Sequence, residues 1–151
     1  MLIKNNKIPL KSNSLDLIVC DWVFEHIEEP KIFFKEINRI LKKKGIVCVR
    51  TPYKYNYFSV INSLIEDTKL KDFLLKKSQP QRKDYFKSYY RLNTYSKIKK
   101  IFNNFKINYF IFTPDPSYFF GSKPLYFFFK ILHFIMPKFF SGIIFCFMTK
   151  N

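Results

Sequence analysis

Residues 15–50, LDLIVCDWVFEHIEEPKIFFKEINRILKKKGIVCVR, decide the fold because they contain a strand pattern, a helix pattern and a second strand pattern in order. LDLIVC is a short, almost continuous apolar run, which is typical of a strand covered on both faces of a parallel sheet. Glu29 and Pro30 mark a helix start, since Pro favours the first helical position and an acid favours the positive end of the helix dipole. Apolar residues at helical spacing then continue to Leu41 and predict one amphipathic helix.

The second strand predicted from this stretch is Ile46–Val49. Lys42–Lys44 and Gly45 precede it, and they are typical of the last turn and the stop of a helix. A right-handed crossover makes the two strands parallel, so their carboxyl ends, Cys20–Asp21 and Arg50–Thr51, meet at one edge of the sheet. Because ligands bind beyond these ends in open parallel sheets, the sequence predicts a site there.

The remaining sequence predicts further elements of one α/β domain that spans residues 1–151. We divide it into a strand-helix-strand core, a helical and connector region, and a C-terminal region of strands and an apolar helix, at 8–52, 53–105 and 106–151. Asn93 or Thr94 is predicted to cap a helix that runs to about Phe105. The apolar patterns also predict a strand at 107–113, a helix at 124–136 and a strand at 143–149.

The composition favours a folded protein without a metal. Hydrophobic residues make up 48% of the chain despite a net charge of +16, which is too apolar for a disordered chain. The three cysteines lie in apolar runs without a CxxC pair, so we expect buried, reduced thiols. With two histidines far apart in the chain, we expect no metal site.

The basic and aromatic region 76–100 has the charge and the stacking groups of a single-stranded nucleic-acid binder. It carries no recognised nucleic-acid motif, and lysine and tyrosine are abundant along the whole chain. We therefore do not expect a nucleic acid as partner.

The segment PLYFFFKILHFIMPKFF, residues 124–140, has two interpretations. It is too short to span a bilayer and contains Lys130 and His133. It is either a core helix beside the sheet or a peripheral contact to anionic lipid, because aromatic residues and lysine suit a membrane interface. The first ten residues lack the apolar stretch of a signal peptide, which predicts a cytoplasmic location, with a position peripheral to the membrane as the alternative.

The run from Ile8 to Pro52 resembles the second half of class I S-adenosylmethionine (SAM)-dependent methyltransferases of the type 11 group. In that family an LPF-type turn precedes an FD-strand, an EH- or HH-containing loop, a helix, and a strand after a Lys/Pro-Gly turn. The corresponding parts here are IPL, LDLIVC, FEHI, FKEINRILKKKG and IVCVRTP. YYRLNTYSKIKKIF and the last two predicted strands are more loosely similar to the later elements of the family.

The resemblance implies a partial Rossmann-like methyltransferase sheet with strands four to seven and their flanking helices. In the family the strand order is 3-2-1-4-5-7-6, and SAM lies across the ends of strands one and four. The N-terminal cofactor-binding half is missing, since glycine occurs only at 45, 121 and 142 and no Gly-rich loop can be formed. Lys4 stands where the family has an Asp near the adenine. The expected cofactor is SAM, but we expect a truncated chain that is inactive alone.

The missing half leaves LDLIVC as an apolar sheet edge, which favours association. We therefore expect a separately encoded N-terminal half as partner, together with a methyl acceptor whose identity the residues do not specify. The competing interpretation is a non-catalytic remnant or a basic module that interacts with a membrane surface.

The resemblance also assigns site residues around the first strand-to-helix turn. Cys20, Asp21 and Trp22 are expected to contact the cofactor, although a turn Asp and a packing Trp are the alternative. Glu25 and His26 are expected to face the transferred methyl group or the acceptor, with His26 as a candidate general base. The alternative is a Glu at a helix start and a half-buried His that satisfies backbone groups.

The acceptor is expected beyond the second strand and under the connector. The first group, Arg50, Thr51 and Tyr53, follows the strand where the family commonly meets its acceptor. The second group, Tyr89, Tyr90 and Arg91, is a candidate lid. For the first group the alternative is a strand end with an extended Arg side chain. For the second group the alternative is packing between a connector and a helix.

Overall fold

The structure, a computed structural model, describes residues 7–66, 68–69, 86–116 and 121–151. Within them lie four strands: β1 Leu15–Asp21, β2 Leu41–Pro52, β3 Phe105–Phe112 and β4 Ile143–Lys150. The helices are α1 Pro30–Ile40, α2 Tyr57–Ile65, α3 Tyr95–Ile101, α4 Lys123–Ile135 and α5 Lys138–Ser141, with a 3-10 turn at Phe24–His26. Lys4 and residues 76–85 of the basic region lie outside the described residues.

The four described strands form one sheet in the order β1-β2-β4-β3. β1 and β2 are parallel, and β4 is antiparallel to both β2 and β3. The predicted parallel pair is thus confirmed, and the mixed α/β architecture follows. β1 pairs with β2 alone among the described strands, so its other side is a sheet edge.

The turn between α1 and β2 differs from the prediction. α1 starts at Pro30 as predicted but ends at Ile40, and Leu41 already belongs to β2 and is fully buried. The strand register jumps from Leu15–Leu41 to Leu17–Ile46, so the intervening four residues bulge out of the ladder. Gly45 is therefore not a helix stop, because it lies inside β2. An added Cβ there would lie 2.8 Å from the Leu41 Cγ atom, so the close approach of Leu41 favours glycine at this position.

One face of the sheet is covered by α1, α3 and the 3-10 turn. Phe24 stacks on Phe102, and Phe34 packs edge-on against both Phe102 and Phe105. Thr94 caps α3 by accepting a hydrogen bond from the Lys97 amide, as predicted, although the helix ends at Ile101 because Phe105 begins β3. These aromatic contacts join the two helices to the sheet. The core cluster on this face includes Cys20, Ile37, Leu41, Val47, Val49, Ile98, Ile144, Cys146 and Met148.

The opposite face of the sheet is uncovered within the described residues. Leu17 and Val19 are 54% and 66% exposed, and Phe110, Phe112 and Phe147 on β3 and β4 are also exposed. The expectation that β1 is covered on both faces is therefore wrong for the described part of the chain. The apolar run packs its alternate residues on the core and leaves the others open to solvent.

α4 lies outside the core. Its bounds differ by one residue from the predicted helix, but none of its residues is buried. The interpretation as a core helix is therefore wrong. No helix in the described ranges combines the length and the apolar character that crossing a bilayer requires.

Candidate functional site

The predicted site lies where the parallel strands β1 and β2 end. Asp21 and Arg50 are register partners at these ends, and the Trp22 amide donates to the Arg50 carbonyl at 2.9 Å. Because side chains alternate along a strand, Asp21 and Arg50 face the uncovered side while Thr51 faces the covered side. The site residues therefore form two groups, one on each side of the sheet end.

The first group is an ion pair beside an indole ring. Arg50 donates from Nε and Nη2 to the two carboxylate oxygens of Asp21 at 2.5 and 2.7 Å. This bidentate bond raises the pKa of Arg50, and the guanidinium carbon lies 5.6 Å from the Trp22 ring centre. Trp22 is exposed and has a φ of 53°, a left-handed conformation that a non-glycine residue rarely adopts. The strained turn presents the indole to solvent.

The second group is a buried chain of hydrogen bonds. Thr51 Oγ1 donates to the Glu25 carboxylate at 2.9 Å and accepts from Asn93 Nδ2 at 2.7 Å. Asn93 also donates to the Pro52 carbonyl at 2.9 Å. All three side chains are buried, and burial raises the pKa of Glu25, although its hydrogen bonds oppose part of the shift. Asn93 Oδ1 has no partner among the described residues.

His26 is oriented by a backbone acceptor. Its Nδ1 donates to the Lys87 carbonyl at 2.8 Å, because a carbonyl can only accept. The Phe86 ring packs against the imidazole with 5.9 Å between ring centres. In the neutral ring this tautomer places the lone pair on Nε2. His26 can therefore accept a proton at that atom.

The connector segment 86–93 is tied to the turn that carries Glu25. The amides of Tyr89 and Tyr90 donate to the Glu25 carbonyl at 2.7 and 3.1 Å. Arg91 donates to the Glu28 carbonyl at 2.5 Å, and the Tyr89 hydroxyl donates to the Glu28 carboxylate at 3.2 Å. The three lid candidates thus lie beside the turn after β1.

Two of the predicted residues differ from the others in their surroundings. Tyr53 lies near α5: its amide donates to the Gly142 carbonyl at 3.2 Å and its ring is 6.5 Å from the Phe139 ring. Cys20 faces the core, and burial raises the pKa of its thiol to about 12. A cofactor contact by Cys20 would therefore use its backbone.

Sequence reasoning missed the part that Asn93 and Tyr90 have in organising the site. Asn93 was expected only as a helix cap, yet its amide bonds to the end of β2. Tyr90 is buried with a φ of 49°, and its hydroxyl accepts from Asn62 at 3.1 Å. The polar pair Asn93-Thr94 between aromatic segments was the available signal, but the partners of Asn93 lie about 40 residues away in sequence.

The described residues fit one side of a nucleoside cofactor. The exposed Trp22 ring is a stacking surface for a base, and Asp21 and Arg50 add hydrogen-bonding groups beside it. No group of three or more His, Cys, Asp or Glu side chains that could hold a metal is found in the described part of the chain. A phosphate-binding or ribose-binding loop of the Gly-rich type is absent from the sequence.

Residues 3–49 match the family model described as a methyltransferase domain. The fold is similar to a SAM-dependent methyltransferase from Thermotoga maritima, at 14% identity and a TM-score of 0.57, over 97% of this chain and 61% of that chain. A SAM-dependent methyltransferase from Methanosarcina mazei is similar at 13% identity and a TM-score of 0.58, over 98% and 65%. One from Archaeoglobus fulgidus is similar at 13% identity and a TM-score of 0.51, over 94% and 62%.

The fold is therefore that of Rossmann-like methyltransferases. The resemblance to the class I, type 11 group is confirmed over the matched residues. This chain spans less than two thirds of the length of these solved relatives. A comparison with curated proteins gave no match.

Proposed function

We propose that this chain is the C-terminal half of a SAM-dependent methyltransferase and contributes strand four, the loop after it and the acceptor side. The observation that carries the proposal is the convergence of Asp21, Trp22, Glu25 and Thr51 at the ends of two parallel strands. Three of these residues lie inside the segment that matches the methyltransferase family model. Ligands bind at this edge of open parallel sheets.

The two groups of residues then have different tasks. Asp21 and Trp22, on the uncovered side, would hold the nucleoside part of SAM, which supplies an electrophilic methyl group when bound. His26 would face the acceptor from the turn that the buried Glu25 ties to Thr51, and its Nε2 can remove a proton from an acceptor that must be deprotonated. For other acceptors, in-line positioning is sufficient for displacement.

The acceptor would be held between the end of β2 and the connector. Tyr89 and Arg91 come from the connector, with the buried Tyr90 between them. Thr51 is the buried end of β2, and Tyr53 lies further along toward α5. Arg50 would approach from the uncovered side, where it pairs with Asp21. The connector's backbone hydrogen bonds to Glu25 support this assignment because they fix the spacing between the two walls. The buried Glu25-Thr51-Asn93 chain, with Thr51 at its centre, holds the strand end and the connector together.

The cofactor pocket would be completed by an N-terminal half supplied in cis or by a separate polypeptide. Among the described strands β1 pairs with β2 alone, and Leu17 and Val19 on β1 are exposed. A parallel strand added there would bring a Gly-rich loop next to Trp22, since parallel strands end at the same sheet edge. We propose a cytoplasmic location, with a position at the membrane periphery as the alternative.

Binding of radiolabelled SAM tests the proposal. The chain is purified alone and together with the polypeptide encoded immediately upstream, and the dissociation constant is measured for each. We expect binding only for the combination. Trp22→Ala should weaken it about tenfold or more through lost stacking, whereas the similarly exposed Tyr55→Ala should not.

Failure of the combination to bind SAM contradicts the methyltransferase proposal. The non-catalytic interaction module is then the better function, because the uncovered sheet face and the missing Gly-rich loop both favour it. Binding that survives Trp22→Ala contradicts the assigned cofactor contact alone.

A further inference from the structure

Helix α4 is apolar around most of its circumference, yet none of its 13 residues is buried. Its inner side packs on α2, where the Phe129 ring lies 5.6 Å from the Tyr57 ring and His133 Nε2 accepts from the Tyr57 hydroxyl at 2.9 Å. His133 Nδ1 also donates to the Pro114 carbonyl at 3.0 Å. These contacts fix which side of α4 faces the protein. A helix that is apolar all round is normally covered on both sides, and no segment among the described residues covers the outer side of α4.

The outer side of α4 is a continuous apolar ridge. Its side chains are 59% to 92% exposed and recur at the helical spacing i, i+1, i+4, i+7 and i+8. The five residues are Phe127, Phe128, Ile131, Phe134 and Ile135. Exposed apolar patches of this kind mark protein or membrane contacts. We call these five residues the α4 ridge.

The charged residues of α4 and of the segment after it are all lysines, and the nearest acid along the chain is Asp115, next to the Pro114 carbonyl that contacts His133. Lys123, Lys130 and Lys138 are exposed on and beside the helix, and residues 116–151 contain no Asp or Glu. A surface with several aromatic residues, flanking lysines and no acid is complementary to an anionic lipid headgroup layer. Lysine side chains can extend their amines to the headgroups while their stems stay among apolar groups.

We propose that the α4 ridge docks on the surface of a membrane that contains anionic lipid, with α4 lying in the plane of the interface. The helix is about 20 Å long at 1.5 Å per residue, which is too short for a hydrocarbon core of about 30 Å. A parallel orientation lets all five ridge residues enter the interface together. This proposal does not depend on methyl transfer, because no residue of the strand-end site takes part in it.

A second copy of this chain is a poorer occupant of the α4 ridge. Two copies that meet through this surface would bring identical lysines together, and each chain carries a net charge of +16. Like charges that face each other oppose association, whereas an anionic membrane gains from the same lysines.

Vesicle flotation tests this docking. The full chain is mixed with phosphatidylcholine vesicles or with vesicles that contain about 30% phosphatidylglycerol, and the fraction that rises through a density gradient is measured. We expect flotation with the anionic vesicles, reduced by raised salt, and little with the neutral ones. Aggregated protein stays at the bottom of the gradient, so aggregation cannot imitate flotation. Failure of the soluble chain to float with the anionic vesicles overturns the proposal.

Variants of the α4 ridge locate the contact. Phe127→Ser combined with Phe134→Ser should lower the partition coefficient at least tenfold, and circular dichroism should stay unchanged because both side chains are exposed. The matched control is Phe110→Ser combined with Phe112→Ser on the uncovered sheet face, where the side chains are 51% and 50% exposed. The control should bind like the unmodified chain.

Removal of charge tests the lipid specificity. Lys130→Gln should weaken binding to the anionic vesicles about fivefold and leave any binding to neutral vesicles unchanged. Equal flotation with neutral and anionic vesicles overturns the electrostatic part of the proposal. The assignment to α4 is overturned if the sheet-face control loses binding and the α4 variant does not. A second copy of the chain is the occupant instead if the unmodified chain forms concentration-dependent dimers that the α4 variant abolishes.

Discussion

Replacement of Thr51 by valine should destabilise the chain by about 1.5–3 kcal/mol. The side chains have nearly the same shape, so the change removes the hydroxyl and leaves the packing almost unaltered. Thr51 is fully buried, donates to the Glu25 carboxylate at 2.9 Å and accepts from Asn93 at 2.7 Å. Both partners are buried and cannot replace this hydroxyl with bulk water.

The magnitude follows from the two hydrogen bonds. A hydrogen bond to a charged group contributes about 1.5–3 kcal/mol and a neutral one about 1 kcal/mol. The additional methyl group of valine returns roughly 1 kcal/mol through burial. With a urea dependence of about 2 kcal/mol per molar, the midpoint of unfolding should fall by roughly 0.8–1.5 M.

The assay is urea unfolding followed by the fluorescence of the single tryptophan, Trp22, which adjoins the same strand end. The matched control is Thr149→Val, because this half-buried β4 residue has a hydroxyl that makes no hydrogen bond among the described residues. Its effect should stay within about 0.5 kcal/mol. Equal shifts of the two midpoints would refute the assigned role of the buried chain.

Three further predictions concern titration and thiol reactivity. Burial raises the pKa of Glu25 in the folded state, so its contribution to stability is present below pH 4.5 and is lost as the pH rises. The stability of Glu25→Gln relative to the unmodified chain, measured by urea unfolding, should therefore increase between pH 4 and pH 7. A difference in stability that stays constant with pH contradicts this. Hydrogen bonds from Arg39 lower the pKa of Glu36 to about 2, so its contribution is present above pH 4.5 and lost as pH falls, and the deficit of Glu36→Gln should shrink toward pH 2 in the same measurement. Iodoacetamide at pH 8 should label the half-buried Cys48 before Cys20, whose buried thiol has a pKa of about 12, and mass spectrometry that finds equal rates would contradict the burial of Cys20.

Local sequence patterns predicted the elements that depend on near neighbours. Pro30 starts α1 and Thr94 caps α3 because both effects act within one helical turn. The right-handed crossover likewise made the parallel pairing of β1 and β2 predictable. The exact end of α1 was not predictable, since Leu41 leaves the helix to bury its side chain in a core that distant segments complete.

In the candidate site, too, local features were predictable from the sequence and contacts between distant segments were not. The motif around Glu25 and His26 drew attention to the turn after β1, and the structure locates it at the strand ends. The partners of that turn were not predictable: the Glu25 carbonyl accepts from Tyr89 and Tyr90, more than 60 residues later in the chain, and Asn93 reaches back to Thr51. Pairings at such separations depend on which segments the sheet brings together.

The sequence by itself determined the order of strands and helices in residues 15–50, the family resemblance and the basic, aromatic character of the C-terminal helix. Only the tertiary structure decided which apolar surfaces are covered. Leu17 and Val19 read as buried in sequence and are exposed, and α4 reads as a core helix and lies outside the core. Hydrophobicity is a property of each residue, whereas burial depends on whether another part of the chain packs against it.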